Sequence, residues 1–406
     1  MKYKIKITPI DRWVIDPVNR FIGKSTTGGI VLFLSAVVAL ILANSPWKDA
    51  YHHIWEHKIS FGIDNKFMLD KTLHHWINDG LMAIFFLMVG LEIKRELVEG
   101  ELSSIKQASL PIIAALGGML VPALIYSLID NSELTGQGWG IPMATDIAFA
   151  IAIITMLGDK VPNSLKIFLT ALAIVDDLGA ILVIAIFYST DIHFNNLLYA
   201  GLILFLLICF NYFGVKKLYF YIIPGVFIWY FIHHSGIHAT IAGVLTAFTI
   251  PTNTTSEESP LERLEHLLSN PVNFLIMPIF AIANTNIKFE SSMFTNITSG
   301  LSAAIICGLL IGKPLGILSF SWLAVKTKLS KLPKKVNWKH ITSIGLLGGI
   351  GFTMSIFITL LAFDNDLIIK ESKLIILLSS LIAGMVGFGT LSYALKGKNE
   401  FTESAQ

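Results

Sequence analysis

The chain has 406 residues, of which 54% are hydrophobic and only 14% charged, with a formal net charge of +2 and a mean hydropathy of +0.68. A soluble domain carries about 25% charged residues, so the composition excludes a soluble domain and reads as a membrane protein. The near-zero balance carries no electrostatic footprint for nucleic acid, and Cys209 and Cys307 lie inside apolar runs, which argues against a disulfide framework.

In chain order, a polar segment precedes the first apolar run, which extends from about Thr27 to Ala43. Asn44-Ser45-Pro46-Trp47 follows it instead of a small-residue cleavage site, so the run reads as a retained span and not as a signal peptide. A helix needs roughly 20 apolar residues to cross the hydrocarbon core. Twelve candidate spans can be marked, near 27–45, 74–97, 108–130, 137–157, 163–189, 195–213, 218–234, 237–250, 262–286, 300–326, 341–362 and 371–396, of which 237–250 is short. The expectation is one all-α membrane domain over 1–406, with an N-terminal segment 1–26, a bundle over 27–396 and a tail at 397–406. Lys and Arg number 22 on the side that carries both termini and 7 on the other, with Lys313 inside a span. The bias places both termini in the cytoplasm. The outer connection 46–71 alternates polar and apolar residues over 58–69, around Gly62-Ile63-Asp64-Asn65. A surface hairpin and an irregular loop fit it equally.

Four charges fall near mid-span: Asp146, Asp176, Asp177 and Lys313. A charge at the bilayer centre costs about 2.5–3.5 kcal/mol on insertion scales, so such residues are functional candidates. Asp176 and Asp177 are about 100° apart on a helix. They can line one cavity without pointing the same way. Two carboxylates this close repel when both are charged, which favours uptake of a proton or a cation. Carboxylate, hydroxyl and carbonyl oxygens suit hard cations. A purely structural ion pair is the competing explanation. Three acids and one base at mid-depth weigh against it, and the two roles are compatible.

Two spans are interrupted. One reads Gly138-Trp-Gly-Ile-Pro-Met-Ala-Thr-Asp146; the other reads Gly345-Leu-Leu-Gly-Gly-Ile-Gly-Phe-Thr-Met-Ser355. Unwinding within a membrane exposes helix termini, positive at N-termini and negative at C-termini. Asp146 is placed to neutralise converging N-termini and Lys313 to neutralise C-termini. For the second span alone, close helix packing explains the glycines better. The pairing of two such spans points to a midplane transport site.

The motifs resemble those of the NhaA family of sodium/proton antiporters. They are Trp76-Ile-Asn-Asp-Gly80, Gly90-Leu-Glu-Ile-Lys-Arg-Glu-Leu97, Pro142-Met-Ala-Thr-Asp146, Ala173-Ile-Val-Asp-Asp-Leu-Gly-Ala180, His234-Ser-Gly-Ile-His-Ala-Thr240, Gly312-Lys-Pro-Leu-Gly316 and Gly348-Gly-Ile-Gly-Phe-Thr-Met-Ser-Ile356. Each is weak alone; in family order from about residue 20 to 395 they are specific.

The resemblance implies twelve helices with an inverted repeat relating spans 3–5 to 10–12, and a cytoplasmic funnel ending at the aspartates. It implies a bacterial inner-membrane protein that exports Na⁺ or Li⁺ for protons by alternating access, with no cofactor. The exchange would be electrogenic, switched on at alkaline pH and used in sodium and pH homeostasis. Asp176 and Asp177 would carry the ion and protons, with Thr145 assisting. Thr145 and Asp146 would sit at the helix crossing, and Lys313 would pair with Asp176 or carry a proton itself. Glu92, Arg95, Glu96, Glu265 and His266 would form a cytoplasmic cluster tied to the pH switch, and His238 is linked to pH response. From the residues alone, Glu92 and Glu96 share a helix face near Arg95, as in any charged helix end, and His238 reads equally as a polar boundary residue. Ser269 stands where the family pattern has another histidine, so the alkaline threshold does not transfer. His52, His53, His74 and His75 lie near the outer boundary, outside any expected chemistry. A homodimer is expected, through the hairpin near 58–69. An intramembrane aspartyl protease fits poorly, because its two carboxylates come from different helices and no Gly-x-Gly-Asp occurs. A cation channel is the remaining rival.

Overall fold

The computed structural model describes residues 25–61, 69–189, 191–253, 258–290, 293 and 298–396. The expected terminal segments 1–24 and 397–406, and the tip of the expected hairpin at 62–68, lie outside the described residues.

The chain is a polytopic helical membrane protein, with one small β pair among the described residues. Helix α1 (Ser25–Ala43) ends before Pro46, and the chain turns by 114° into the amphipathic α2 (Lys48–Glu56). Strands β1 (Lys58–Phe61) and β2 (Leu69–Thr72) pair antiparallel, with Lys58 opposite Thr72. Of the two alternatives for 58–69, the described residues form the paired strands. Helix α3 (Leu73–Val98) contains a π-helical segment, Trp76–Leu81, near its start. Helix α4 (Ile105–Ile129) runs through Pro111 and Pro122.

The first interrupted span begins as a 3-10 segment, Gly136–Met143, becomes extended at Ala144, and resumes as α5 (Ile147–Met156). Pro142 removes a donor and the glycines add no side-chain packing, so a continuous α-helix is disfavoured there. Helices α6 (Asn163–Phe187), α7 (Phe194–Tyr212), α8 (Tyr219–His233) and α9 (Ile241–Thr249) follow. Helix α10 (Pro260–Asn284) opens with a capping box in which Ser259 and Glu262 satisfy each other's backbone N–H, with Pro260 at the first helical position. Helix α11 (Gly300–Lys326) has a π segment, Gly308–Gly312, directly before Lys313. The second interrupted span is α12 (Trp338–Gly348) and α13 (Phe352–Ala362), bent by 44° at Gly349–Gly351. Helix α14 (Asp366–Lys396) closes the bundle.

Among the described residues, eight helices are long and apolar enough to cross a membrane, or up to ten if each bent pair is one span; α8 is a shorter apolar helix. Without a hydrophobic drive between helices in lipid, close packing by small residues decides which helices touch. Gly117 on α4 and Gly316 on α11 face each other so closely that a Cβ on either would collide with the other's carbonyl oxygen. That approach carries Lys313, one turn before Gly316, into the interior, where it is fully buried.

Candidate functional site

The two interruptions cross. The Asp146 backbone N–H donates to the Ile350 carbonyl at 2.7 Å, joining the breaks directly. The Asp146 side chain is the N-cap of α5, where Oδ1 accepts from Phe149 N at 3.1 Å. Its Oδ2 accepts from Thr353 N at 3.1 Å and from Thr353 Oγ1 at 2.5 Å, in the first turn of α13. One carboxylate therefore faces two helix N-termini, whose unpaired N–H groups and partial positive charge favour an anion. Ser380 on α14 completes the second cap. Its Oγ accepts from Gly351 N at 3.2 Å and Phe352 N at 3.1 Å. Ser355 Oγ donates to the Ile141 carbonyl at 2.7 Å, tying α13 to the 3-10 segment.

On the other side of the crossing, Lys313 Nζ donates to the Met143 carbonyl at the end of the 3-10 segment and to Asp176 Oδ2 at 2.5 Å. The cation thus meets the negative end of that segment. Thr145 Oγ1 lies 2.7 Å from Asp176 Oδ2 and 3.0 Å from the Gly348 carbonyl oxygen, and its single proton serves either. Asp176 and Asp177 sit mid-way along α6 and are buried, at 0% and 2% exposure. Asp176 Oδ1 and Asp177 Oδ1 have no hydrogen-bond partner. Buried carboxylate oxygens are ordinarily satisfied, so this pair is set apart from every other acid at the crossing. Its chemistry is hard oxygens, one hydroxyl and nearby carbonyls, which suit a small monovalent cation or protons. Among the described residues no group of three or more His, Cys, Asp or Glu is arranged to hold a resident metal ion.

The structure therefore brings Asp146, Thr145, Asp176, Asp177 and Lys313 to one crossing. A separate cluster lies at the far end of α3. Arg95 Nε donates to Glu265 Oε2 at 2.9 Å and Oε1 at 3.2 Å, and Arg95 also pairs with Glu96 at 3.3 Å. Glu92 lies on the same stretch but makes no hydrogen bond or ion pair with these groups, and His266 is exposed and likewise unbonded to them. Ser269 Oγ is 3.5 Å from Asn273 Nδ2.

His238 does not join that cluster. Its Nε2 is 3.6 Å from Asp79 Oδ1, and His233 Nδ1 is 3.7 Å from Asp79 Oδ2. Asp79 and Arg95 are sixteen residues apart on α3, roughly 24 Å at 1.5 Å per residue. Nor is His74 a bare boundary residue. It contacts Asn284 Oδ1 at 3.1 Å and Asn78, within a buried network that Lys373 reaches from α14 at 3.5 Å. Sequence reasoning missed Asp79, Lys373 and Ser380. Asp79 and Lys373 lie close to span ends, where charge is expected, and a serine in an apolar helix carries no distinguishing signal.

Comparison with known proteins adds a second line. The family described as Na+/H+ antiporter 1 matches residues 19–391. A Flavobacterium johnsoniae protein described as Na(+)/H(+) antiporter NhaA 2 is 56% identical over 383 residues, 94% of this chain and 94% of its own. A Flavobacterium psychrophilum protein described as Na(+)/H(+) antiporter NhaA is 50% identical, over 93% of this chain and 96% of its own. One of the same description from Yersinia enterocolitica is 49% identical, over 95% and 99%.

Proposed function

The chain belongs to the NhaA family of Na⁺/H⁺ antiporters, and from that premise we propose that it expels Na⁺, and Li⁺, from the cytoplasm in exchange for protons. The observation that carries this reading is the pair of unpartnered oxygens on Asp176 and Asp177 beside Thr145, at the crossing of two broken helices.

Exchange works by competition. With the site open to the cytoplasm, the cation binds Asp177 and Asp176 with help from Thr145 and displaces protons. With the site open outward, protons displace the cation. Asp146 keeps the two helix N-termini from repelling the cation, and Lys313 balances the Asp176 charge while the site is empty of Na⁺. A buried ion pair adds little net stability over apolar packing, so the Lys313–Asp176 pair is better explained by ion handling than by scaffolding. Two protons per cation make the exchange electrogenic, and each net charge gains about 2.3 kcal/mol per 100 mV.

The finer architecture belongs to the same proposal: a single domain of twelve spans, with spans 3–5 and 10–12 as an inverted repeat, both termini in the cytoplasm, and a bacterial inner-membrane location. The helix bounds and the Lys/Arg bias support it. Homodimers form through the β1–β2 hairpin, whose backbone edge is available for pairing. Alkaline activation acts through Glu92, Arg95, Glu96, Glu265 and His266, with His238 as a second, separate group. The role is sodium and pH homeostasis.

The test uses everted vesicles with an acid interior. Na⁺ and Li⁺, but not K⁺, alkalinise the interior, and more strongly at alkaline pH. No response to any of them between about pH 6.5 and 9, with folded protein present, overturns the reading.

A further inference from the structure

The strongest charge asymmetry in the molecule lies outside the ion site. No Asp or Glu occurs between Glu290 and Asp364, a stretch that spans α11, its connection to α12, and α13. Within it, Lys328, Lys331, Lys334 and Lys335 crowd into the connection, flanked by Lys326 at the end of α11 and Lys339 at the start of α12, and all six are exposed. Among the described residues, Lys326, Lys328, Lys331, Lys334 and Lys339 form no ion pair. The corner at the end of α3 is the opposite: there Glu96 and Glu265 take up Arg95.

The connection is held in place. Ser330 is 5% exposed; its N–H donates to the Ala324 carbonyl at 3.1 Å, and its hydroxyl donates to Ser109 on α4 at 2.7 Å. Ser164, at the start of α6, donates to the Lys334 carbonyl at 2.5 Å. Lys328 and Lys335 hold φ of 62° and 63°, a left-handed conformation uncommon for lysine. Serine hydroxyl bonds thus pin the loop to α4 and α6 while its ammonium groups face outward.

Its depth is marked by aromatic rings. Lys326 Nζ lies 4.3 Å above Trp322, which is 48% exposed, and Lys339 Nζ lies 5.8 Å from Tyr393, which is 73% exposed. Exposed Trp and Tyr rings sit at the headgroup level of a bilayer. Lysines clustered beside such rings, at the end of a membrane helix, meet the phosphates of anionic lipids.

We propose that the α11–α12 connection is a docking surface for the headgroups of anionic phospholipids in the facing leaflet. The lipid phosphates supply the counter-charge that, among the described residues, no ion pair gives to Lys326, Lys328, Lys331, Lys334 and Lys339. Because the loop is bonded to α4 and α6 and leads into α12, bound headgroups brace the helices that carry Asp176, Asp177, Lys313 and the second break. The competing explanation is that the lysines serve only to orient the chain during insertion.

The experiment follows thermal unfolding of the purified full chain in neutral detergent at low salt, titrated with phosphatidylglycerol, phosphatidylcholine or inorganic phosphate. Phosphatidylglycerol raises Tm; the other two do not. In the triple variant Lys328→Gln, Lys331→Gln, Lys334→Gln, the phosphatidylglycerol needed for half the effect rises at least about tenfold. That is below the product of roughly fivefold per lysine at an anionic surface. The corresponding Lys→Arg triple variant keeps the wild-type half-point, which separates charge from damage to the loop. Removing Lys48, Lys58 and Lys288, on the other side, leaves the half-point unchanged. An unchanged half-point in the Gln variant, an equal rise in the opposite-side variant, loss of the effect in the Arg variant, or stabilisation by inorganic phosphate would each overturn the proposal. The readout is lipid binding and not ion exchange, so its failure is distinct from failure of the antiport reading.

Discussion

The two broken spans solve the same problem with different materials. The first, Gly136–Met156, brings charge to the crossing: Asp146 on its own chain, and Lys313 drawn to its Met143 carbonyl. The second, over α12 and α13, contributes no charged side chain, only carbonyls, N–H groups and hydroxyls. One break is electrostatic and the other geometric.

The sharpest break in that contrast comes from the acids themselves. Asp177→Asn removes a carboxylate without changing its shape and is expected to reduce vesicle exchange to background while the protein still folds. Asp146→Ala comes next. It leaves the part-buried Phe149 N and the buried Thr353 N and Oγ1 without their acceptor, at about 1–3 kcal/mol for each buried donor. Tm should fall and exchange with it, and Asp146→Asn should recover Tm more than exchange.

In the geometric break the sensitive position is a glycine. A Cβ at Gly349 would sit 2.5 Å from the Leu309 carbonyl oxygen. Gly349→Ala is expected to cost about 1–3 kcal/mol through the forced backbone shift, read as a lower Tm. Ser380→Ala removes one shared acceptor from the second cap and is expected to cost about 1 kcal/mol, with Ser380→Thr restoring the loss. The smallest effect is at Glu265→Gln. Arg95 is 35% exposed, so stability should change by less than about 1 kcal/mol, while the pH profile of exchange shifts.

The same contrast explains what the sequence made legible. Charges at mid-depth stand out against an apolar background, so Asp146, Asp176, Asp177 and Lys313 were identifiable, and the structure brings them to one crossing with Thr145. Helices were legible where apolar runs were long, and the breaks where Gly and Pro clustered. Interactions between segments were not. Nothing local distinguishes Ser380 from Ser379, yet only Ser380 accepts from the α13 N-terminus. The resemblance links His238, like the acids near Arg95, to pH response, but it packs beside Asp79, at the other end of α3. The π segments before Lys313 and at Asp79 re-aim side chains by a fraction of a turn, a displacement that hydrophobic periodicity does not encode.

Competition between Na⁺ and protons at Asp176 and Asp177 is tested most directly by proton release. Na⁺ is added to the purified protein in weakly buffered solution at alkaline pH, and the pH of the medium is followed. The account predicts prompt acidification by Na⁺ and Li⁺, none by K⁺, and none in Asp176→Asn or Asp177→Asn. Na⁺ binding without proton release in the unmodified protein would contradict it.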